Sequence, residues 1–208
     1  MKKLLILLFP ILLLSSPSVF ADDISDFQIE GISIGDSLLD YMTEEKILKE
    51  IEHTKDYYSY LKEPNKYAEV FLSEVFPIFD DGLSFIVKNN STNEYITNKN
   101  EKYTILFVRG MMRFIEDIDS CIVKRDEIVE ELSMMFPNTQ ITENSYPFTN
   151  DPSGNSMKYD VNFIFDSGDE VEVSCDNFEE TLRIKNNFTE GLNIVIVSKE
   201  ILDWASER

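Results

Sequence analysis

The sequence predicts an α+β fold, an antiparallel sheet with helices packed on one face. Three observations carry this. Segments that alternate with a period of two come in runs joined by turn residues, the pattern of antiparallel strands. The helical segments stand apart from those runs and do not alternate with them one by one. The clearest feature, "MKYDVNFIFDSGDEVEVSCDNF" (157–178), sets two alternating segments around Asp166-Ser167-Gly168-Asp169, a hairpin signal.

Taken in order, residues 1–21 form a secretory signal. Lys2 and Lys3 are its basic start, "LLILLFPILLL" (4–14) its apolar run, and Val19 and Ala21 fit the −3 and −1 positions of a cleavage site. The run is shorter than the ~20 residues of a membrane-spanning helix. Pro10 and the small residues before Asp22 speak against an uncleaved anchor, and no cysteine follows the run to carry a lipid. The expected product is residues 22–208, one periplasmic α+β domain with no stable membrane insertion.

Residues 22–34 read as a loose or short extended arm. "DSLLDYM" places Leu38, Leu39 and Met42 on one face, with Asp36 or Ser37 as a cap. Thr43 caps "EEKILKEIEH", whose apolar side is Ile47, Leu48 and Ile51. Pro64 closes a junction holding Tyr57, Tyr58 and Tyr60, a candidate aromatic patch if they do not simply pack the junction. Three strands follow, "KYAEVFLSE", "GLSFIVKNN" and "YTILFVRGMMRF"; the third is nearly all apolar and so is expected at the centre. Asp119 or Ser120 caps a long helix with Cys121, Ile128, Leu132 and Met135 on one side, ended by Pro137. "NTQITENSYPFTNDPSGNS" reads as a loop. The hairpin comes next, then a strand "LNIVIV" and a short helix "SKEILDWASER", which Ile201 and Trp204 fasten to the core. The order is helix, three strands, helix, three strands, short helix. It allows a tandem αβββ repeat with halves 35–114 and 120–198, although the two halves do not match in sequence.

Composition limits the function. With Lys2 and Lys3 removed, 17 basic residues face 39 acidic ones, a net charge of −22. Such a chain repels nucleic acid and anionic lipid; the charge serves solubility or attracts a basic protein or a divalent cation. The two cysteines, Cys121 at a helix start and Cys175 on the inward face of "EVEVSC", suit a disulfide in an oxidising compartment. The alternatives are two buried thiols or a metal site, and a zinc shell would need carboxylates because His53 is the only histidine. "DPSGNSMKYDVN" (151–162) offers Asp151, Ser153 and Asn155 at alternate positions. It lacks the glycine and glutamate that a calcium loop needs at positions six and twelve, and reads as a turn. No cofactor is indicated.

Gly35-Asp36-Ser37-Leu38 resembles the signature of the GDSL (SGNH) hydrolases, which implies Ser37 as nucleophile of a small periplasmic hydrolase. That mechanism needs a histidine base and an orienting acid. The family's Asp-x-x-His block has no counterpart in "SKEILDWASER", and His53 lies sixteen residues after Ser37. A helix lead-in explains the same four letters. Over most of its length, in "FQIEGISIGDSLLDYMTEEKI", "DSCIVKRDEIVEELSMMF", "DPSGNS", "DSGDEVEVSC" and "SKEILDWA", the chain resembles a set of short exported proteins of Pelagibacter-type marine bacteria. The resemblance implies a source and a compartment, and no reaction. "GISIGDS" (31–37) is also similar to the opening of β-lactamase-inhibitor-like and outer-membrane-assembly lipoprotein folds, which implies a protein-binding module. The expected function is therefore a non-enzymatic module for a protein or envelope component, acting through a sheet face or its loops, with hydrolysis at Ser37 as the alternative.

Overall fold

The computed structural model describes residues 24–55, 66–72, 78–79, 82–89 and 102–207. Residues 1–21, read from the sequence as a signal, and Tyr57, Tyr58 and Tyr60 lie outside the described residues. Among the described residues seven strands form one antiparallel sheet: β1 (Tyr67–Leu72), β2 (Leu83–Lys88), β3 (Ile105–Arg113), β4 (Gln140–Pro147), β5 (Met157–Ile164), β6 (Glu170–Asn177) and β7 (Gly191–Val197). Their order across the sheet is β1-β2-β3-β7-β6-β5-β4. Two meanders of three strands thus flank β7. Among the described residues four α-helices accompany them: α1 (Glu44–Thr54), α2 (Ile118–Met135), α3 (Glu180–Asn186) and α4 (Lys199–Ser206). The α+β class read from the sequence is the one observed.

Several local expectations need correction. The supposed loop before the hairpin contains β4, in register with β5 from Gln140↔Ile164 to Pro147↔Met157. It is an edge strand, exposed at all but one position, so it lacks the apolar alternation by which strands are recognised. The second run of three strands is therefore β4-β5-β6, followed by α3 and then β7. The centre belongs to β7, fully buried along its length, and not to β3, which lies beside it. The arm at 24–34 is not loose: Glu30 and Gly31 both adopt positive φ in a tight turn that pairs Ile29 with Ile32, and Ile24, Ile29 and Ile32 are buried. The cap of α2 is Asp117, whose carboxylate accepts from Ser120 N–H, and Leu48 and Met135 face solvent.

The larger core lies on one face of the sheet. Ala68, Val70 and Leu72 of β1, Phe85 and Val87 of β2, Ile194 and Ile196 of β7, and Val171 and Val173 of β6 meet Ile47 of α1 and Leu132 of α2 there. Phe136, just past α2, packs edge-to-face on Phe27 and Phe165. α2 crosses this face over β6 and β7, and the Cys121–Cys175 disulfide, with Cα atoms 6.1 Å apart, fastens it to β6. At the β1 edge the Thr54 hydroxyl of α1 donates to the Glu69 carbonyl at 2.7 Å. α1 and α2 share one face, as expected.

The short α4 lies on the other face. Ile201, Leu202 and Trp204 cover Tyr67, Ile86, Leu106, Val195 and Val197, and the Trp204 ring meets Tyr67 edge-on at 5.2 Å. A bulge in β3 makes this possible. Ile86 pairs with Phe107 and Val87 with Ile105, so Leu106 is the extra residue. The extra residue puts neighbouring Leu106 and Phe107 on the α4 side while Ile105 and Val108 keep the larger core. At Gly191 a β-carbon would overlap the Met112 carbonyl, so β7 enters beside β3 only with glycine there.

Candidate functional site

α4 covers only part of its face. The remainder, running over β7, β6, β5 and β4, carries polar side chains. Alternation along each strand supplies them: Lys158, Asp160 and Asn162 from β5; Glu170, Glu172, Ser174 and Asp176 from β6; Asn193 from β7. Register then sets Asn144, Asp160, Ser174 and Asn193 side by side across four strands. Paired residues of an antiparallel sheet project on one face, so the four form a row. Asp160 and Asn193 are each only 3 % exposed and Ser174 is fully buried.

Four donors within this cluster bond carboxylates. Tyr146 O–H donates to Asp160 Oδ2 at 2.8 Å, Asn193 Nδ2 to Asp176 Oδ2 at 3.0 Å, and Ser174 O–H to Glu172 Oε1 at 2.7 Å. The Lys158 ammonium pairs with Glu172 Oε1 at 2.7 Å. Three buried acceptors accept no bond from the protein: Asp160 Oδ1, Asp176 Oδ1 and Asn193 Oδ1. A buried polar atom left in this state costs about 1–3 kcal/mol.

The electrostatics agree. Burial, reinforced by the Glu172 charge, pushes the Asp176 carboxyl up to about 6, against the pull of Lys158, Arg109 and Asn193. Burial pulls the Lys158 ammonium down, but Glu172, Asp176 and Asp160 outweigh it and hold its pKa above the usual value. Burial and the bond to Asp160 raise the Tyr146 phenol, which stays protonated as a donor. Chemically, the face can bind a cation or a rich hydrogen-bond donor. Among the described residues no group of three or more His, Cys, Asp or Glu side chains is placed to hold a metal ion.

The residues singled out from the sequence lie elsewhere. Cys121 and Cys175 are brought together as a disulfide. Ser37 is buried: its hydroxyl donates to the Lys102 carbonyl at 2.8 Å and accepts from Leu39 N–H at 3.3 Å. Gly35 and Asp36 bond through their backbones to Ile105, so the GDSL letters form a clip along the start of β3 and cap a short 3-10 turn, Leu38–Asp40. His53 is exposed on α1. Asp151 accepts from Ser153 N–H, Ser153 O–H and Ser156 N–H, bonds that hold its carboxyl well below the usual range and shape a turn. Sequence reasoning missed the row. Its one signal was Asn193, a lone polar residue in the otherwise apolar "LNIVIV".

Comparison with protein-family models, curated proteins and solved structures found no match. Among the described residues no helix is long and apolar enough to cross a membrane.

Proposed function

We propose that the chain is a periplasmic, non-enzymatic binding module that engages a protein or envelope component through the polar face of β4-β5-β6-β7. The observation that carries this reading is the row of buried polar side chains, in which Asp160 Oδ1 and Asn193 Oδ1 accept no bond from the protein. A sheet face that only met water would expose such groups; here Asp160 and Asn193 are buried and half-bonded. The disulfide and the signal-like start support an oxidising compartment. The commitment of the Ser37 hydroxyl to Lys102 and Leu39 favours its structural role over hydrolysis.

A photo-crosslinking side chain at Asn144, exposed and in the row with Asp160, tests the reading in living cells. The expected result is a discrete crosslinked species from Asn144 and none from the same probe at Glu52 on α1. Equal labelling from the two positions, or none from either, would overturn it.

A further inference from the structure

We propose that the outer edge of β4 takes up an extended basic segment of a partner polypeptide as an added strand; this deepens the binding-module reading above and rests on it. The direction of the backbone groups follows from one bond. Phe148 N–H donates to the Ser156 carbonyl at 3.0 Å, continuing the β4–β5 register by one pair. Bonded and non-bonded pairs alternate along an antiparallel ladder. Gln140, Thr142, Asn144 and Tyr146 therefore turn their backbone groups to β5, while Ile141, Glu143 and Ser145 turn theirs outward. These three residues are exposed, and among the described residues nothing bonds their N–H or C=O groups. Pro147 falls on an outward position, where its missing N–H breaks no ladder bond.

The opposite edge of the sheet is closed. Asn89 N–H donates to the Lys66 carbonyl, so by the same alternation Glu69 of β1 turns outward. The Thr54 hydroxyl of α1 already bonds its carbonyl, and β1 is buried at five of its six positions. β4 has few such guards. It is paired without a bulge over all eight residues, and no described helix covers it. A long, regular, open edge is a template for another strand, because main-chain bonds supply affinity whatever the guest's sequence.

Charge selects the guest. Glu143 and Asp126 share the guanidinium of Arg125, each at 2.8 Å, so two carboxylates meet one cation. Both carboxylates stay largely exposed, inside a chain of net charge −20. A lysine or arginine placed across from Glu143 on an added strand gains from this excess, and an acidic residue there is repelled. Exposed Ile141 offers an apolar neighbour on the same side of the strand. A second copy of the chain fits less well. In the register that pairs all three outward residues, Ile141 meets Ser145 and the two Glu143 side chains lie opposite each other.

The full chain, labelled with nitrogen-15, is mixed with three synthetic peptides of equal length. The first is strand-forming and built of valine, threonine and lysine; the second is the same with every main-chain nitrogen methylated; the third carries glutamate for lysine. The lysine peptide is expected to bind saturably and to slow amide exchange at Ile141, Glu143 and Ser145, leaving Thr142, Asn144 and Tyr146 as they were. The methylated and glutamate peptides should give no such protection. Ser145→Pro, which removes one outward donor as Pro147 already does, should weaken the lysine peptide about tenfold. Glu143→Gln, which still offers Arg125 an acceptor, should weaken it about threefold. Equal binding of the methylated or glutamate peptide, protection centred away from β4, or no binding at all would each overturn the proposal. So would protection of the three outward amides that rises with protein concentration alone, which would assign the edge to a second copy. The peptide comparison uses the unaltered chain and stands even if a variant fails to fold. A discrete crosslink from Asn144 with a silent edge sinks the added strand alone; loss of both sinks the module as well.

Discussion

The two wings of the sheet have three strands each and differ in cladding. On the first wing α4 covers Tyr67 of β1, Ile86 of β2 and Leu106 of β3, while α1 and the N-terminal arm cover the other face. β6 is covered by α2 on one face, β5 buries Val161 and Phe163 in the same core, both carry the polar row on the other face, and β4 is exposed on both. Their sequences differ accordingly. "LSFIVK" is buried at five of its six positions, whereas "MKYDVNFI" alternates between sides. A strand's pattern thus reports how many faces are covered. It does not report whether an uncovered face meets only solvent, because Asp160 and Asn193 occupy positions of the open type and are buried all the same.

The largest test of this contrast is the disulfide, which holds the singly covered wing to α2. Closing a loop between residues 54 apart stabilises by about 4 kcal/mol on the chain-entropy estimate. Replacing Cys121 and Cys175 together by alanine should remove most of that in urea unfolding. Hydrogen exchange should show the amides of β5 and β6 losing protection before those of β1 and β2. Uniform loss across the sheet would mean that the wings do not differ in this respect.

Trp204→Ala acts on the other wing. It removes half-buried aromatic area and the edge-on contact with Tyr67, at a cost of about 2 kcal/mol, below the range for a fully buried ring. Its exchange signature should be the reverse, centred on β1, β2 and β7. A signature matching that of the cysteine variant would break the comparison.

The smallest effect is a gain. A carboxyl whose folded pKa lies above its unfolded value of about 3.9 binds its proton more tightly in the native state. Asp176, pushed up to about 6, therefore stabilises the fold at low pH, and this contribution is lost as pH rises from about 4 through 6. Asp176→Asn should be more stable than the parent at pH 7 by about 1–2 kcal/mol. The difference should vanish near pH 4. Parallel stability curves for the two proteins from pH 4 to 7 would show that the polar wing carries no such strain.

Much of the fold was legible and most of the site was not. The hairpin at Asp166–Asp169 announced itself because turn residues and alternation coincide there, and Gly168 adopts the positive φ that the turn requires. β4 escaped because an edge strand exposed on both sides has no apolar period, with Ile141 and Tyr146 its only large apolar residues. α3 escaped because Ile184 points outward and none of its residues is buried. The row was hidden for a different reason. Asp160, Ser174 and Asn193 come from three strands, and only register sets them side by side. A sequence read one strand at a time shows each polar residue and not their alignment.

The place of β7 bears on the timing of assembly. It is the last strand made and the one that both wings need, since β3 and β6 each bond to it and not to each other. Until Gly191–Val197 has emerged, the growing chain holds two separate meanders with unsatisfied inner edges, the kind of surface on which strands of other molecules dock. Completion of the sheet must wait for nearly the whole polypeptide, which makes long-range pairing the slow step. A protein wired in this way stays unfinished and pliable until β7 arrives.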